Sequence, residues 1–169
     1  MGAAGGWVMA LPLFSVVFGA GMVLSAVFVR PLSVRWGLPD WQVFGLLASL
    51  CLILAATLTP GASGVWGSCL HDIYRPLGPR GLLTMGERAL NTWLFVPFGV
   101  FAALAARRYP WVLLAAFTIP FGVEATQRFA PVLGRRCQFQ DLVDNTWGLV
   151  LGACVGLLIG ALTRSPRGS

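Results

Sequence analysis

Five long apolar runs divide the chain, separated by short stretches rich in Arg, Pro and Gly. The first charged side chain is Arg30, so the run Trp7–Val29 supplies 23 uncharged residues. At 1.5 Å per residue that is enough to cross a hydrocarbon core of roughly 30 Å. No Arg or Lys precedes this run and it is longer than a signal-peptide core, so it is expected to stay as a membrane helix. A second span, Trp41–Thr59, is closed by the sequence TPGASG, whose Pro and Gly stop a helix. The third, Ala89–Ala106, ends at Arg107 and Arg108, and its internal Pro97 frees the carbonyl of Trp93. The fourth runs from Tyr109 to about Phe129. Only 15 residues separate Arg108 from Glu124, so Glu124 falls within the membrane, about 22 Å along the helix and roughly 7 Å short of the far boundary. The fifth, Leu142 to about Leu162, precedes Arg164 and Arg167. The pattern predicts an all-α polytopic membrane bundle of about five transmembrane helices, forming a single domain over residues 1–169 with no internal repeat.

Composition agrees with that reading. Hydrophobic residues make up 57% of the chain and charged ones 11%, against roughly 25% charged in soluble domains. The net charge of +6 comes entirely from Arg, placed in ones and twos between the apolar runs. Such spacing marks membrane topology rather than a basic stripe, so nucleic acid is excluded as a partner. With five spans, Arg30, Arg35, Arg107, Arg108, Arg164 and Arg167 lie on one side, and Arg75, Arg80, Arg88, Arg128, Arg135 and Arg136 on the other. The second set shares its side with Asp72, Glu87, Glu124, Asp141 and Asp144. The first set, accompanied only by Asp40, is therefore placed in the cytoplasm, with the N-terminus outside and the C-terminus cytoplasmic. Cys51 and Cys154 fall within spans as small packing residues. Cys69 and Cys137 fall in loops on the outer side, where a disulfide between them is one reading and two free thiols the other.

The polar residues concentrate where three spans begin or end. Asp141, Asn145, Gly148, Gly152, Gly156 and Gly160 step by three or four and form one helical stripe, polar at the outer end and glycine below it. Small-xxx-small spacing lets helices approach closely, so the stripe is expected to dock on another span, with a homodimer seam as the alternative. Glu124, Gln127 and Arg128 close the fourth span, and Glu124 to Arg128 is an i,i+4 pair in the order that favours an ion pair. Glu87, Arg88 and Asn91 open the third span, Glu87 and Asn91 one turn apart. Three helix ends thus bring carboxylates, amides and arginines to one membrane face, as a shared external site or clasp. Ionisable groups inside spans are costly and often mark a site. Asp141 and Asp144, buried together, could separate acid and base roles, whereas Asp144 with Asn145 could instead cap the fifth helix. Arg135 and Arg136 suit an anionic headgroup, or equally an interfacial anchor. His71 is the single histidine and no C-x-x-C or H-E-x-x-H is present, so no metal and no cofactor are expected. Hydroxyl nucleophiles have no histidine beside them in sequence to act as base.

The segments LNTWLFVPFG (Leu90–Gly99), EATQ (Glu124–Gln127) and RRCQFQDLVDNTWGLVLG (Arg135–Gly152) together resemble the VanZ-like family of small bacterial membrane proteins, and LAATLTPG (Leu54–Gly61) fits that family's second-span ending. The resemblance runs from about Trp41 to Ala161. It implies importance for Asn91, Phe95, Pro97, Gly99, Glu124, Gln127, Arg136, Asp141, Asn145 and Gly148. The family pattern often has an aspartate shortly after the arginine; here Cys137 and Gln140 stand in that neighbourhood. The resemblance also implies a bacterial plasma membrane, a cell-envelope context and an association with resistance to teicoplanin-type glycopeptides. Three readings follow. One is binding or shielding of a membrane lipid or lipid-linked envelope molecule by Asn91, Glu124, Gln127, Arg136, Asp141 and Asn145. The second is a membrane enzyme that modifies a lipid or glycan headgroup, with Glu124 or Asp141 as acid/base and Arg136 as anion clamp. The third, a transporter, lacks the broken-helix repeat expected of one.

Overall fold

The computed structural model describes residues 3–60, 75–84, 86–133 and 138–163, with side chains from residue 13 onward. Cys69, His71, Arg135, Arg136 and Cys137 lie outside the described residues, and with them the disulfide expected between the two cysteines. The chain forms α1 (Ala3–Trp36), α2 (Asp40–Leu58), the short α3 (Pro79–Leu83), α4 (Glu87–Ala106), α5 (Pro110–Phe129), a 3-10 turn (Pro131–Leu133) and α6 (Phe139–Leu162). Among the described residues there is no β-strand, and the protein is an all-α membrane bundle.

Among the described residues, four helices are long and apolar enough to cross a membrane: Leu13–Trp36 of α1, α2, α4 and α6. α5 has 20 residues, as α4 does, but its last turns carry Glu124, Gln127 and Arg128. Composition therefore does not single it out. Topology does, because α4 and α6 run parallel: Arg88 bonds to Asp144, and Gly148, Gly152 and Gly156 meet Thr92, Val96 and Val100, all in a constant register of 56 residues. Two parallel spans require the chain to recross between them, and α5 is the helix that returns.

The α4–α6 contact is built on glycine. A Cβ at Gly148, Gly152 or Gly156 would run into the backbone carbonyl oxygens of Thr92, Val96 and Val100, and one at Gly99 into that of Leu149. In lipid, where apolar burial drives little association, such backbone approach and dispersion hold helices together. The glycine face of α6 is thus occupied by α4 of the same chain. Phe95, Phe98 and Ala102 of α4 complete a core with Ile53 of α2, Ala116 and Val123 of α5, and Leu149 of α6.

α1 packs at the rim, on α2. It does not stop at Val29, the end of the uncharged run, but continues to Trp36. Arg30 stays on the exposed face and reaches Asp40 at 3.2 Å, while the Ser33 hydroxyl also donates to Asp40. Gly21 and Ser25, one turn apart, face α2: a Cβ at Gly21 would come within 2.8 Å of Cys51 Cβ, and Ser25 Oγ lies 3.7 Å from Cys51 Sγ. Cys51 therefore packs between helices, whereas Cys154 is exposed on the lipid-facing side of α6. Gly37 makes the α1–α2 turn at φ +57°, a conformation that disfavours any Cβ, with the Arg108 guanidinium alongside. Gly37→Ala is expected to cost about 1 kcal/mol, as side chains do in that backbone region, read as a lowered midpoint in thermal unfolding in detergent. Tyr109 Oη donates to the Trp36 carbonyl at 3.0 Å, joining the α4–α5 turn to the α1–α2 turn. This end of the bundle carries Arg30, Arg35, Arg107 and Arg108.

Candidate functional site at the polar end of the bundle

The opposite end gathers the C-terminal turns of α2 and α5 with the N-terminal turns of α4 and α6. Parallel α4 and α6 bring their N-termini side by side, where unpaired backbone N–H groups and the helix dipoles favour carboxylates. Asp144, fully buried, receives a two-pronged bond from Arg88, with Nε to Oδ2 and Nη2 to Oδ1 both at 2.8 Å. Gln140 Nε2 donates to the same Oδ1 at 3.1 Å, and Arg88 and Gln140 both donate to the Arg75 carbonyl, at 2.6 and 3.2 Å. A buried carboxylate that accepts hydrogen bonds on both oxygens from an arginine and an amide is a structural clasp. Asp144 therefore does not cap α6, which starts five residues earlier at Phe139 without a side-chain cap bond. Nor does Asp144 share a pocket with Asp141 as an acid/base pair: Asp144 is bound to Arg88 and Gln140, whereas Asp141 accepts from Asn91 Nδ2 at 2.9 Å.

Glu124 faces α6. Its Oε2 accepts the backbone N–H of Gln138, the residue preceding α6, at 3.2 Å. Asp141 is close enough for the two charges to interact. The expected ion pair with Arg128 does not form: the Arg128 guanidinium reaches out over the Phe129 ring, 5.8 Å from its centroid. That long side chain runs toward the helix end, as arginines near membrane interfaces do, while Glu124 sits one turn deeper. Gln127, buried, donates to the Thr57 carbonyl at 3.2 Å and ties α5 to α2. Glu87 is exposed and takes no part.

Among the described residues, two buried side-chain oxygens at this end lack hydrogen-bond partners. Glu124 is 8% exposed and Asn145 3%, and neither Glu124 Oε1 nor Asn145 Oδ1 has a hydrogen bond. Unsatisfied buried polar atoms are uncommon because each costs on the order of 1–3 kcal/mol. Asn145 stands one turn below Asp141 on the stripe of α6 that continues into Gly148 and packs on α4, while Glu124 of α5 meets the residue preceding α6. Trp147 Nε1 is also unpartnered, but two residues on from Asn145 it points to another side of the helix.

Of the residues singled out in the sequence, Asn91, Glu124 and Asp141 come together here, with Asn145 one turn deeper and Gln127 turned toward α2. Arg136 is outside the described residues. Sequence reasoning placed Arg88 among the polar residues of this end but did not pair it with Asp144, and it missed Gln140 as a member of the clasp. The signal for Arg88 was its place in the first turn of the span, opposite an aspartate that needed a cation.

The same residues sit inside the segment that a family model recognises. The model of the VanZ/LLP1 family matches residues 46–160, which is 115 of the 169 residues. The chain belongs to the VanZ/LLP1 family. Neither a curated protein nor a solved structure matches it. The family segment begins within α2 and ends near the end of α6, so it takes in the four helices that build the polar end and leaves α1 outside. The family's membership and this geometry therefore concern the same four-helix unit, with α1 as an addition at its edge.

Proposed function

We propose that this VanZ/LLP1 protein binds the headgroup of an amphiphilic cell-envelope molecule, a membrane lipid or a lipid-linked wall precursor, at the polar end of α4, α5 and α6. The observation that carries the proposal is the pair of buried, unpartnered oxygens on Glu124 and Asn145. The neighbouring polar groups Asp144, Arg88, Gln140 and Gln127 are all bonded within the chain. A cluster built solely for assembly has no need of two orphan acceptors, and a ligand supplying hydrogen-bond donors would complete it. Arg136, outside the described residues, precedes Gln138 by two positions in sequence and is the candidate to hold a phosphate or carboxylate of the same ligand. The protein belongs to a bacterial plasma membrane in this reading. The polar end faces outward and the end bearing Arg30, Arg35, Arg107 and Arg108 faces the cytoplasm. Binding there, by shielding an envelope molecule, would alter the response to teicoplanin-type glycopeptides.

The test is native mass spectrometry with lipid identification on gently purified wild type, Glu124→Gln, Asp141→Asn and Arg136→Ala. Wild type is expected to retain a defined lipid or wall precursor that each variant loses. Glu124→Gln is expected to unfold no more easily than wild type, because a neutral amide of the same shape removes the cost of a buried, poorly partnered charge. Loss of folding in Glu124→Gln, with no ligand on wild type, would reduce the cluster to a structural clasp. A second reading, a membrane enzyme that modifies the headgroup, is favoured by the nearness of the Glu124 and Asp141 carboxylates, which suits acid/base work. It separates from simple binding by chemistry: Asp141→Asn would then retain the ligand unmodified.

A further inference from the structure

The end of the bundle opposite the polar cluster carries positive charge that its own carboxylates do not neutralise. Arg35 lies in the last turn of α1, Arg107 and Arg108 follow α4, and Arg30 is paired with Asp40. Among the described residues Asp40 is the only carboxylate here, since Glu87, Glu124, Asp141 and Asp144 lie at the other end. Four arginines against one aspartate leave three positive charges. Outside the described residues, Asp72 stands in the segment between α2 and α3, and Arg164 and Arg167 follow α6. Helix dipoles do not remove the excess. The C-termini of α1, α4 and α6 and the N-termini of α2 and α5 meet at this end, and their opposed partial charges sum to about half a negative charge.

Arg108 is held in place. Its guanidinium lies 5.8 Å from the centroid of the Tyr109 ring, its Nε donates to the Tyr109 hydroxyl at 3.4 Å, and its Nη2 would lie 3.2 Å from a Cβ at Gly37. The ring is fixed in turn by the bond from its hydroxyl to the Trp36 carbonyl. Among the described residues the Nη groups of Arg108 make no hydrogen bond, so they stay open as a fork that suits a phosphate. Arg107 runs over α6, its Cδ 2.8 Å from where a Cβ on Gly160 would stand. Trp41 in the first turn of α2 and Trp111 in the first turn of α5 are 58% and 59% exposed. Tryptophans so placed at helix ends settle at the level of lipid headgroups, which puts the Arg108 fork at the depth of lipid phosphates.

We infer that this end binds an anionic phospholipid of the bilayer. Arg108 holds the phosphate where the α1–α2 and α4–α5 turns meet, and Arg35 and Arg107 add attraction. A zwitterionic lipid would bring its own ammonium or choline toward uncompensated arginines, whereas an anionic one brings a net negative charge. This site is separate from the one around Glu124, at the other end of the bundle.

The experiment places the full chain in nanodiscs of equal parts phosphatidylglycerol, phosphatidylethanolamine and phosphatidylcholine and identifies the retained lipid by native mass spectrometry. Wild type is expected to retain phosphatidylglycerol in preference to both zwitterionic lipids. The double variant Arg107→Gln with Arg108→Gln is expected to weaken that preference by about fivefold for each arginine removed, the effect of one basic residue at an anionic surface. Glu124→Gln is expected to keep it. Equal retention of the three lipids by wild type overturns the site, and so does a folded double variant with the wild-type preference. Loss of the preference in Glu124→Gln but not in the double variant also overturns it, by moving the anionic lipid to the polar end. If the double variant does not fold, Arg35→Gln, a change at an exposed side chain, decides: a loss of about fivefold supports the site, and an unchanged preference overturns it.

Discussion

Arg88→Met is expected to destabilise the protein by about 3–5 kcal/mol, the cost of leaving a buried carboxylate without its cation. Asp144 is fully buried, whereas the Arg88 side chain is 40% exposed. The pair is therefore asymmetric. Removing the arginine strands Asp144 where water cannot reach it, and Gln140 alone cannot offset the charge. Removing the charge from the other side, by Asp144→Asn, leaves an arginine that can turn toward headgroups and an amide that still meets Gln140. That variant is expected to lose less than half as much. The double variant Arg88→Met with Asp144→Leu, which has no charge left to desolvate, is expected to recover most of the loss. Unfolding titrations of the two single variants and the double variant, compared as a cycle, check both the size and the asymmetry. Equal losses from the two single changes would mean that Asp144 is less enclosed than its position between α4 and α6 requires.

The helix contact below that clasp is expected to be nearly as sensitive. Gly152→Ala is expected to cost about 3 kcal/mol, at the upper end for overpacking, because the added methyl meets the Val96 carbonyl oxygen and the Gly99 Cα, both backbone atoms. Neither can rotate away, so α4 and α6 must part along their length. Gly122→Ala is the control. A Cβ there has nothing within 4 Å, and the change is expected to leave stability unaltered or raised slightly through helix propensity. Detergent unfolding of the two variants side by side distinguishes a backbone-to-backbone seam from a general dislike of alanine in these helices.

The sequence conveyed the bundle because membrane helices announce themselves by uncharged length, and it conveyed the glycine seam because a repeat of four residues is visible without coordinates. It ended the first run at Val29 because Arg30 is the first charge, but Arg30 sits on an exposed face of a helix that continues to Trp36. α5 was legible as an apolar run from Tyr109 to about Phe129 that carries Glu124 inside it, and its status as a span rests on the parallel run of α4 and α6. The pairings at the polar end were the least legible part. Glu124 and Arg128 suggested a bond by spacing along one helix, and Asp141 and Asp144 suggested a shared pocket. Contacts between helices overrode both: Gln138 took Glu124, Arg88 took Asp144 and Asn91 took Asp141. Arg88 and Asp144 are 56 residues apart in the chain, and only the register of α4 against α6 brings them together. Local spacing could name the participants but not assign the partners.

The most direct test of the central claim is a high-resolution structure of the protein extracted with its native lipids. Density for a bound headgroup is expected within hydrogen-bond distance of Glu124 Oε1, with the acyl chains running down the outside of α5 or α6. If Glu124 Oε1 and Asn145 Oδ1 are instead satisfied by ordered water or by a side chain of the protein itself, the polar end is an assembly clasp and the account of its function is wrong.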